Sequence, residues 1–207
     1  MSIDIYTGVP GSGKSLHAAS DVRWYLNLAR REVPVIANFR LGENAPVARP
    51  ELFHYLPNDE MSAGKLIDFA CEWWETHKFR ERGIILCLDE CQLLFNSRRW
   101  TDKSRMAYLE FLSQSRKYGY HIILIAQNAK MIDNQFRMLI DDEVNHRRVA
   151  GMGVVGSLVA APFRGRLFLA VRYTYQIHEK LGMELRVFHR KDAQMYDSYA
   201  TFERQER

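Results

Sequence analysis

Two things are scarce in this sequence of 207 residues: cysteine and long apolar stretches. The three cysteines, Cys71, Cys87 and Cys91, are an odd number, lie in apolar runs and have no histidine nearby at zinc-ligand spacing. That points away from a disulfide scaffold or a zinc site and towards buried thiols in a reducing compartment. No stretch reaches the roughly 18 uninterrupted apolar residues of a membrane-spanning helix, and the N-terminus lacks a basic region followed by an apolar one. The chain as it stands therefore reads as neither exported by a standard signal nor membrane-spanning. A charge excess is also missing. Lys plus Arg is 29 against 25 for Asp plus Glu, a net charge of +4 that is too mild to single out nucleic acid as a partner. Repeats and low-complexity tracts are absent. With 47% hydrophobic and 26% charged residues, the composition fits one globular domain with a sizeable core and excludes disorder as the main state.

Along the chain, strand-like and helix-like patterns alternate. Ile3 to Thr7 is a short β-rich run that gives way to a glycine-rich loop and a helical pattern from about Gly13 to Arg31. Val33 to Phe39 is the next strand, and Leu52 to Leu56 a short further one. Helical spacing resumes at Ala63 and passes through Trp73 and Trp74. The run 83–88 is apolar without alternation, as a strand covered on both faces should be. A helix over 102–118 then leads into a second such strand, His121 to Ala126. This order predicts a three-layer α/β domain with a mainly parallel central sheet. Val144 to Ala150 and Leu167 to Ile177 read as strands of an antiparallel extension, joined by the turn-rich segment 151–166 with no helix of useful length. Leu185 to Phe188 and a short helix near Gln194 to Tyr199 complete it. Residues 1–140 are thus expected to form the core and 141–207 a β extension packed on it, one domain overall.

Residues 8–15, Gly8-Val9-Pro10-Gly11-Ser12-Gly13-Lys14-Ser15, match G-x-x-x-x-G-K-[ST] in full, with a strand before and a helix after. Glycines let successive backbone N–H groups turn inward around phosphate oxygens where a Cβ would intrude, and the helix N-terminus adds its positive end. Gly8, Pro10, Gly11, Ser12, Gly13, Lys14, Ser15 and Leu16 are the candidate ATP contacts. Lys14 is expected to reach the β- and γ-phosphates and Ser15 to offer its hydroxyl to Mg²⁺. The bland alternative, a glycine turn that binds nothing, must explain eight matching positions and both flanks.

Such a loop needs a carboxylate on the metal side, at the end of a neighbouring buried strand. Asp89 ends the run 84–88 and takes that role. Glu90, next to it, is placed to polarise a water for attack on the γ-phosphate, work that a kinase does not require. Gln127, at the end of the following apolar strand, is the candidate γ-phosphate sensor, unless it is merely a polar strand end. A strand intervening between the two phosphate motifs makes the pattern resemble the additional-strand ATPases. No Asn-Lys-x-Asp guanine-reading motif occurs.

With GVPGSGKS at 8–15, LCLDECQLLF at 86–95 and SRKYGYHIILIAQN at 115–128 in that order, the chain resembles the N-terminal domain of zonula occludens toxin-like proteins, which include filamentous-phage assembly proteins. The third motif is also similar to that of DNA-pumping translocases, in which Arg-x-x-Gly-x-His leads into a strand ending in glutamine. The resemblance implies a Mg²⁺-dependent ATPase at the cytoplasmic face of the bacterial inner membrane. It would power phage assembly and extrusion, with phage DNA and coat or assembly proteins as partners. Family members usually continue into a transmembrane helix that this chain lacks.

ATPases of this kind commonly need an arginine from a neighbouring subunit, which implies a homo-oligomer, with a hexameric ring the favoured form. Arg98, Arg99, Arg116 and Arg137 are candidates, with Arg116 and Arg137 preferred; for each, a solvated surface charge is the plain alternative. Trp73, Trp74, Trp100, Phe69 and Phe95 fit core or interface positions better than a base-stacking surface, because basic residues are not interleaved with them. The weakly polar segment 151–163, flanked by Arg147, Arg148, Arg164 and Arg166, could meet lipid headgroups or DNA, or be a plain hairpin connection. Besides the motor, a small-molecule or nucleotide kinase could use the same phosphate loop, and a secreted toxin-like ligand is a third possibility that no residue supports.

Overall fold

A computed structural model describes residues 3–95 and 102–196. Its strands are β1 (Ile3–Thr7), β2 (Val35–Ala37), β3 (Phe53–Tyr55), β4 (Ile84–Leu88), β5 (Tyr120–Ile125), β6 (Asp142–Arg148), β7 (Leu167–Thr174) and β8 (Lys180–Val187). The helices are α1 (Lys14–Leu26), α2 (Ala63–Thr76), α3 (Asp102–Gln114), α4 (Asn134–Arg137), α5 (Gly153–Ala160) and α6 (Arg190–Ala193), with short 3-10 turns between some elements. All eight strands form one sheet in the order β3-β2-β4-β5-β1-β6-β7-β8. The first six of these pair in parallel, and β7 and β8 are antiparallel. Strand β5 lies between β1 and β4, which is the additional-strand arrangement expected from the order of the motifs.

The unbroken apolar runs explain the layering. Along β4, Ile84, Leu86 and Leu88 enter one hydrophobic cluster with Leu66 and Ala70 of α2 and Phe111 and Leu112 of α3. Ile85 and Cys87 point the other way, into a cluster with Ala18, Val22 and Leu26 of α1. A period of two with both faces apolar is what a strand sandwiched between helices requires. Side-chain bonds pin the layers. The Tyr120 hydroxyl donates to the Leu66 carbonyl (2.6 Å), and the Trp74 indole N–H to that of Tyr118 (2.8 Å).

Four expectations need correction. Strand β6 pairs in parallel with β1, Asp4 opposite Asp142 and Thr7 opposite Asn145, so the antiparallel part begins only at β7. Its polar sequence hides this, because buried Asp142 is matched by Arg172, whose Nη1 lies 2.8 Å from both Asp142 and Asp4. Segment 151–166 contains the helix α5: Gly156, which reads as a breaker, instead lets the helix approach the Val149 carbonyl closely. The final helix lies at Arg190–Ala193, earlier than expected, and 197–199 fall outside the described residues. Finally, Cys71 is exposed, while Cys87 and Cys91 are buried.

Candidate active site

The phosphate loop leaves β1 and enters α1 in a conformation that only glycine accepts at its two ends. Gly8 has φ +147° and Gly13 φ +94°. A Cβ at Gly8 would run into the His146 carbonyl and the Ser12 hydroxyl, and one at Gly13 would stand 2.7 Å from the Phe168 ring. The loop is closed by the Ser12 N–H donating to Val9 (3.0 Å) and the Gly8 N–H donating to the Gln127 carbonyl (3.2 Å). Ser12 is fully buried, and its Oγ has no partner among the described residues. Lys14 is also buried, at 7% exposure, a position that favours anionic groups around its ammonium. The first turn of α1 holds no acidic residue to occupy its positive end. A loop of this shape, with an orphaned hydroxyl and a buried lysine, suits an anion.

Because β1, β4 and β5 are parallel, their C-terminal ends share one edge of the sheet. The loop, Asp89-Glu90 after β4 and Gln127 after β5 therefore converge. Asn38, just beyond β2, grips Asp89 through the backbone: its Oδ1 accepts from the Asp89 N–H (2.7 Å) and its Nδ2 donates to the Asp89 carbonyl (2.7 Å). The Asp89 Oδ1 accepts from the Glu90 N–H (2.8 Å) and its Oδ2 from the Tyr196 hydroxyl. Burial pushes the Asp89 carboxyl above the usual range, against the pull of those two donors and of Lys14. Glu90 sits at φ +46°, a left-handed conformation that costs a side chain energy and is commonly retained at functional sites. Its carboxylate is held by the Gln92 amide.

This arrangement is matched by similarity. Residues 2–201 match the family described as Zonular occludens toxin (Zot). The chain belongs to the Zot family. The Gene 1 protein of Escherichia phage If1 is 38% identical over 158 residues, 72% of this chain and 42% of that protein. This chain spans a little under half the length of the phage Gene 1 proteins it matches. Among solved structures, the N-terminal domain of zonular occludens toxin from Neisseria meningitidis aligns with a TM-score of 0.59 at 17% identity, covering 95% of this chain and 98% of that one. The DNA-packaging ATPase B204 from Sulfolobus Turreted Icosahedral Virus aligns at 0.57 and 15%, over 91% and 98%. These two likenesses establish the P-loop NTPase fold.

In this Zot-family chain, Arg116 and Arg137 pair with residues outside the phosphate loop. Arg116 precedes β5, at the opposite edge of the sheet, where it is exposed and pairs with Glu81 (3.1 Å). Arg137 ends α4 on the return path from β5 to β6 and donates to Asn134 (3.1 Å). Arg98, Arg99 and Trp100 lie outside the described residues. Trp73, Trp74 and Phe69 are partly buried and Phe95 fully buried against the core. Behind the loop, the buried His17 Nδ1 and His146 Nε2 share a hydrogen bond (2.6 Å). Burial pushes His17 down to about 2 and His146 to about 4, so both are neutral.

Sequence reasoning missed Asn38, Gln92 and Tyr196. Gln92 sits in a recognisable motif two residues from Glu90 and could have been flagged. Asn38 and Tyr196 reach Asp89 from 51 and 107 residues away, and no local pattern marks them.

Proposed function

We propose that this domain hydrolyses ATP with Mg²⁺ as part of an oligomeric motor that drives assembly and extrusion of filamentous phage. The observation that carries the proposal is the convergence, on one sheet edge, of a complete phosphate loop with Asp89, Glu90 and Gln127. Lys14 would neutralise the β- and γ-phosphates, and the loop N–H groups would hold them. The donor set fits Mg²⁺: Ser15 offers a hydroxyl, and Asp89 a carboxylate whose burial favours a cation beside it. Such an ion would supply positive charge to the β- and γ-phosphates. Glu90 would accept a hydrogen bond from the attacking water, whose oxygen bonds to the γ-phosphorus as the bond to the β-phosphate oxygen breaks. Gln127 would orient that water or a γ-oxygen. Arg116 pairs with Glu81 and Arg137 with Asn134 rather than with the phosphate loop, so Arg137 or Arg116 of a neighbouring copy would complete the charge, as a ring of subunits allows. Phage DNA and coat or assembly proteins are the proposed cargo, and the cytoplasmic face of the inner membrane the place of action.

Phosphate release from ATP, measured without acceptor and against protein concentration, tests this. A motor should need Mg²⁺ and become more active per subunit as it assembles. Turnover only with an added phosphoryl acceptor would favour the kinase reading, and no turnover at any concentration would refute the ATPase.

A further inference from the structure

The hairpin between β6 and β7 carries a surface that the nucleotide chemistry does not use. Strand pairing ends at Arg148 opposite Phe168, and residues 149–167 form a tip beyond the same edge of the sheet that holds the phosphate loop. The tip is built around α5, inverted relative to an ordinary surface helix. Its small residues face inward: Gly156 packs on the Val149 carbonyl, and Ala160 is fully buried with Val149 and Leu167. Its large apolar residues face outward, with Val154 78%, Val155 73% and Leu158 69% exposed, joined by Met152, Val159 and Phe163. A continuous apolar face of this kind is rare on a surface that meets only water.

The charges around it choose the partner. Between Val144 and His178 there is no aspartate or glutamate. Arg147, Arg148, Arg164 and Arg166 collar the tip, all exposed, and none has an ion-pair partner among the described residues. Their contacts are to neutral groups, such as Arg148 Nε donating to the Gly165 carbonyl (2.9 Å) and Arg166 over the Phe188 ring. Apolar side chains at the apex with uncompensated guanidinium groups at the base match the layering of an anionic bilayer: acyl chains beneath, phosphates above. A nucleic acid would satisfy the arginines but leave the aliphatic apex uncovered, and stacking platforms need aromatics, of which the tip offers only Phe163. An eight-residue helix is about 12 Å long, far too short to span, so it would lie in the headgroup region.

We infer that the α5 tip is an interfacial membrane-binding element for anionic phospholipid, independent of any transmembrane segment. The inference does not rest on the ATPase proposal, and its test uses no nucleotide. The chain is sedimented with vesicles of phosphatidylcholine alone and of phosphatidylcholine doped with phosphatidylglycerol. Binding should require phosphatidylglycerol and weaken with salt. Arg147→Gln with Arg164→Gln should reduce affinity roughly 25-fold, at about fivefold per arginine. Val155→Ser with Leu158→Ser, both outward-facing and therefore compatible with folding, should abolish most of the rest. A Phe163→Trp variant should gain fluorescence that brominated lipids quench. Absence of binding to the doped vesicles would overturn the inference. So would vesicle-inert protein whose self-association is lost in the serine variant, which would assign the face to a second copy. Vesicle-inert protein whose duplex DNA binding is lost in the glutamine variant would assign it to nucleic acid.

Discussion

Tyr196→Phe separates the nucleotide-free state from the loaded one. The Tyr196 ring stacks on Phe39, centroids 4.6 Å apart at 19°, and phenylalanine keeps that contact. Only the hydroxyl is lost, and with it a donor to the Asp89 carboxylate. A hydrogen bond to a charged, partly buried acceptor contributes about 1.5–3 kcal/mol, so the nucleotide-free protein should lose that much stability. For a domain of this size that is a fall in Tm of roughly 3–12 °C. If Asp89 turns to the metal side of a bound nucleotide, as the proposed function requires, the phenol would no longer be its partner and the same substitution should cost little. The difference must appear in binding. Affinity for a non-hydrolysable ATP analogue with Mg²⁺ should rise by up to about 10–150-fold, the equivalent of the energy lost by the free state, while affinity in EDTA stays the same. Thermal unfolding with and without ligand, together with fluorescent-nucleotide titrations in Mg²⁺ and in EDTA, measures both halves of the cycle. Equal destabilisation of the free and loaded states would refute the argument, because it would mean that Tyr196 keeps Asp89 throughout.

Lys14→Ala should fold normally and lose ATP affinity by roughly 10–150-fold, since it removes a charge-assisted contact to the phosphates; an unchanged Kd would refute the phosphate-loop assignment. Glu90→Gln should bind ATP as before and hydrolyse it roughly 10²–10⁴-fold more slowly, and near-normal turnover would exclude Glu90 as the group acting on water. Arg172→Met should destabilise the fold by about 3–5 kcal/mol in denaturant titrations, because Asp4 and Asp142 remain buried without their cation. His17 and His146 are held neutral with depressed pKa values, so their contribution is complete above the unfolded-state value near 6.5 and declines as pH falls towards 4, where the unfolded chain takes up protons that the fold refuses. Each should contribute a slope of about 1.4 kcal/mol per pH unit in that window, and stability curves of His146→Gln that keep the full wild-type slope would contradict this.

What the sequence discloses is what lies in contiguous stretches. The phosphate loop, Asp89-Glu90 and Gln127 are each flanked by an apolar strand whose direction follows from the alternation with helices, so their convergence on one edge could be foreseen. Asn38, Gln92 and Tyr196 were not found. Asn38 matters only because β2 lies beside β4, and Tyr196 only because the segment after α6 returns to Leu41, relations that no local pattern states. Segment 151–166 reads as turns because glycine commonly interrupts helices, whereas Gly156 serves close packing and Gly153, at φ +77°, turns the chain into α5. Strand β6 concealed its place in the sheet because its buried acid is neutralised by an arginine 30 residues later.

The C-terminal part of the chain is a wall of the site, fixed to it at separate points. The His146 carbonyl of β6 closes the space over Gly8, and the Phe168 ring of β7 lies against Gly13, so both ends of the phosphate loop are backed by this hairpin. Arg172 of β7 bridges Asp4 of β1 and Asp142 of β6, and Asp192 of α6 takes Arg23 of α1 at 2.6 Å. Tyr196 then reaches Asp89 on the far side of the loop. A displacement of the hairpin relative to β1 cannot leave the loop unchanged, because a closely packed interior has no slack at the two glycines. The α5 tip is the continuation of that same hairpin. If lipid docking on the tip shifts that hairpin, the phosphate loop would feel it, and ATP-analogue affinity measured with and without anionic vesicles should change by the same factor as vesicle affinity measured with and without the analogue; unchanged affinities would mean that the hairpin transmits nothing.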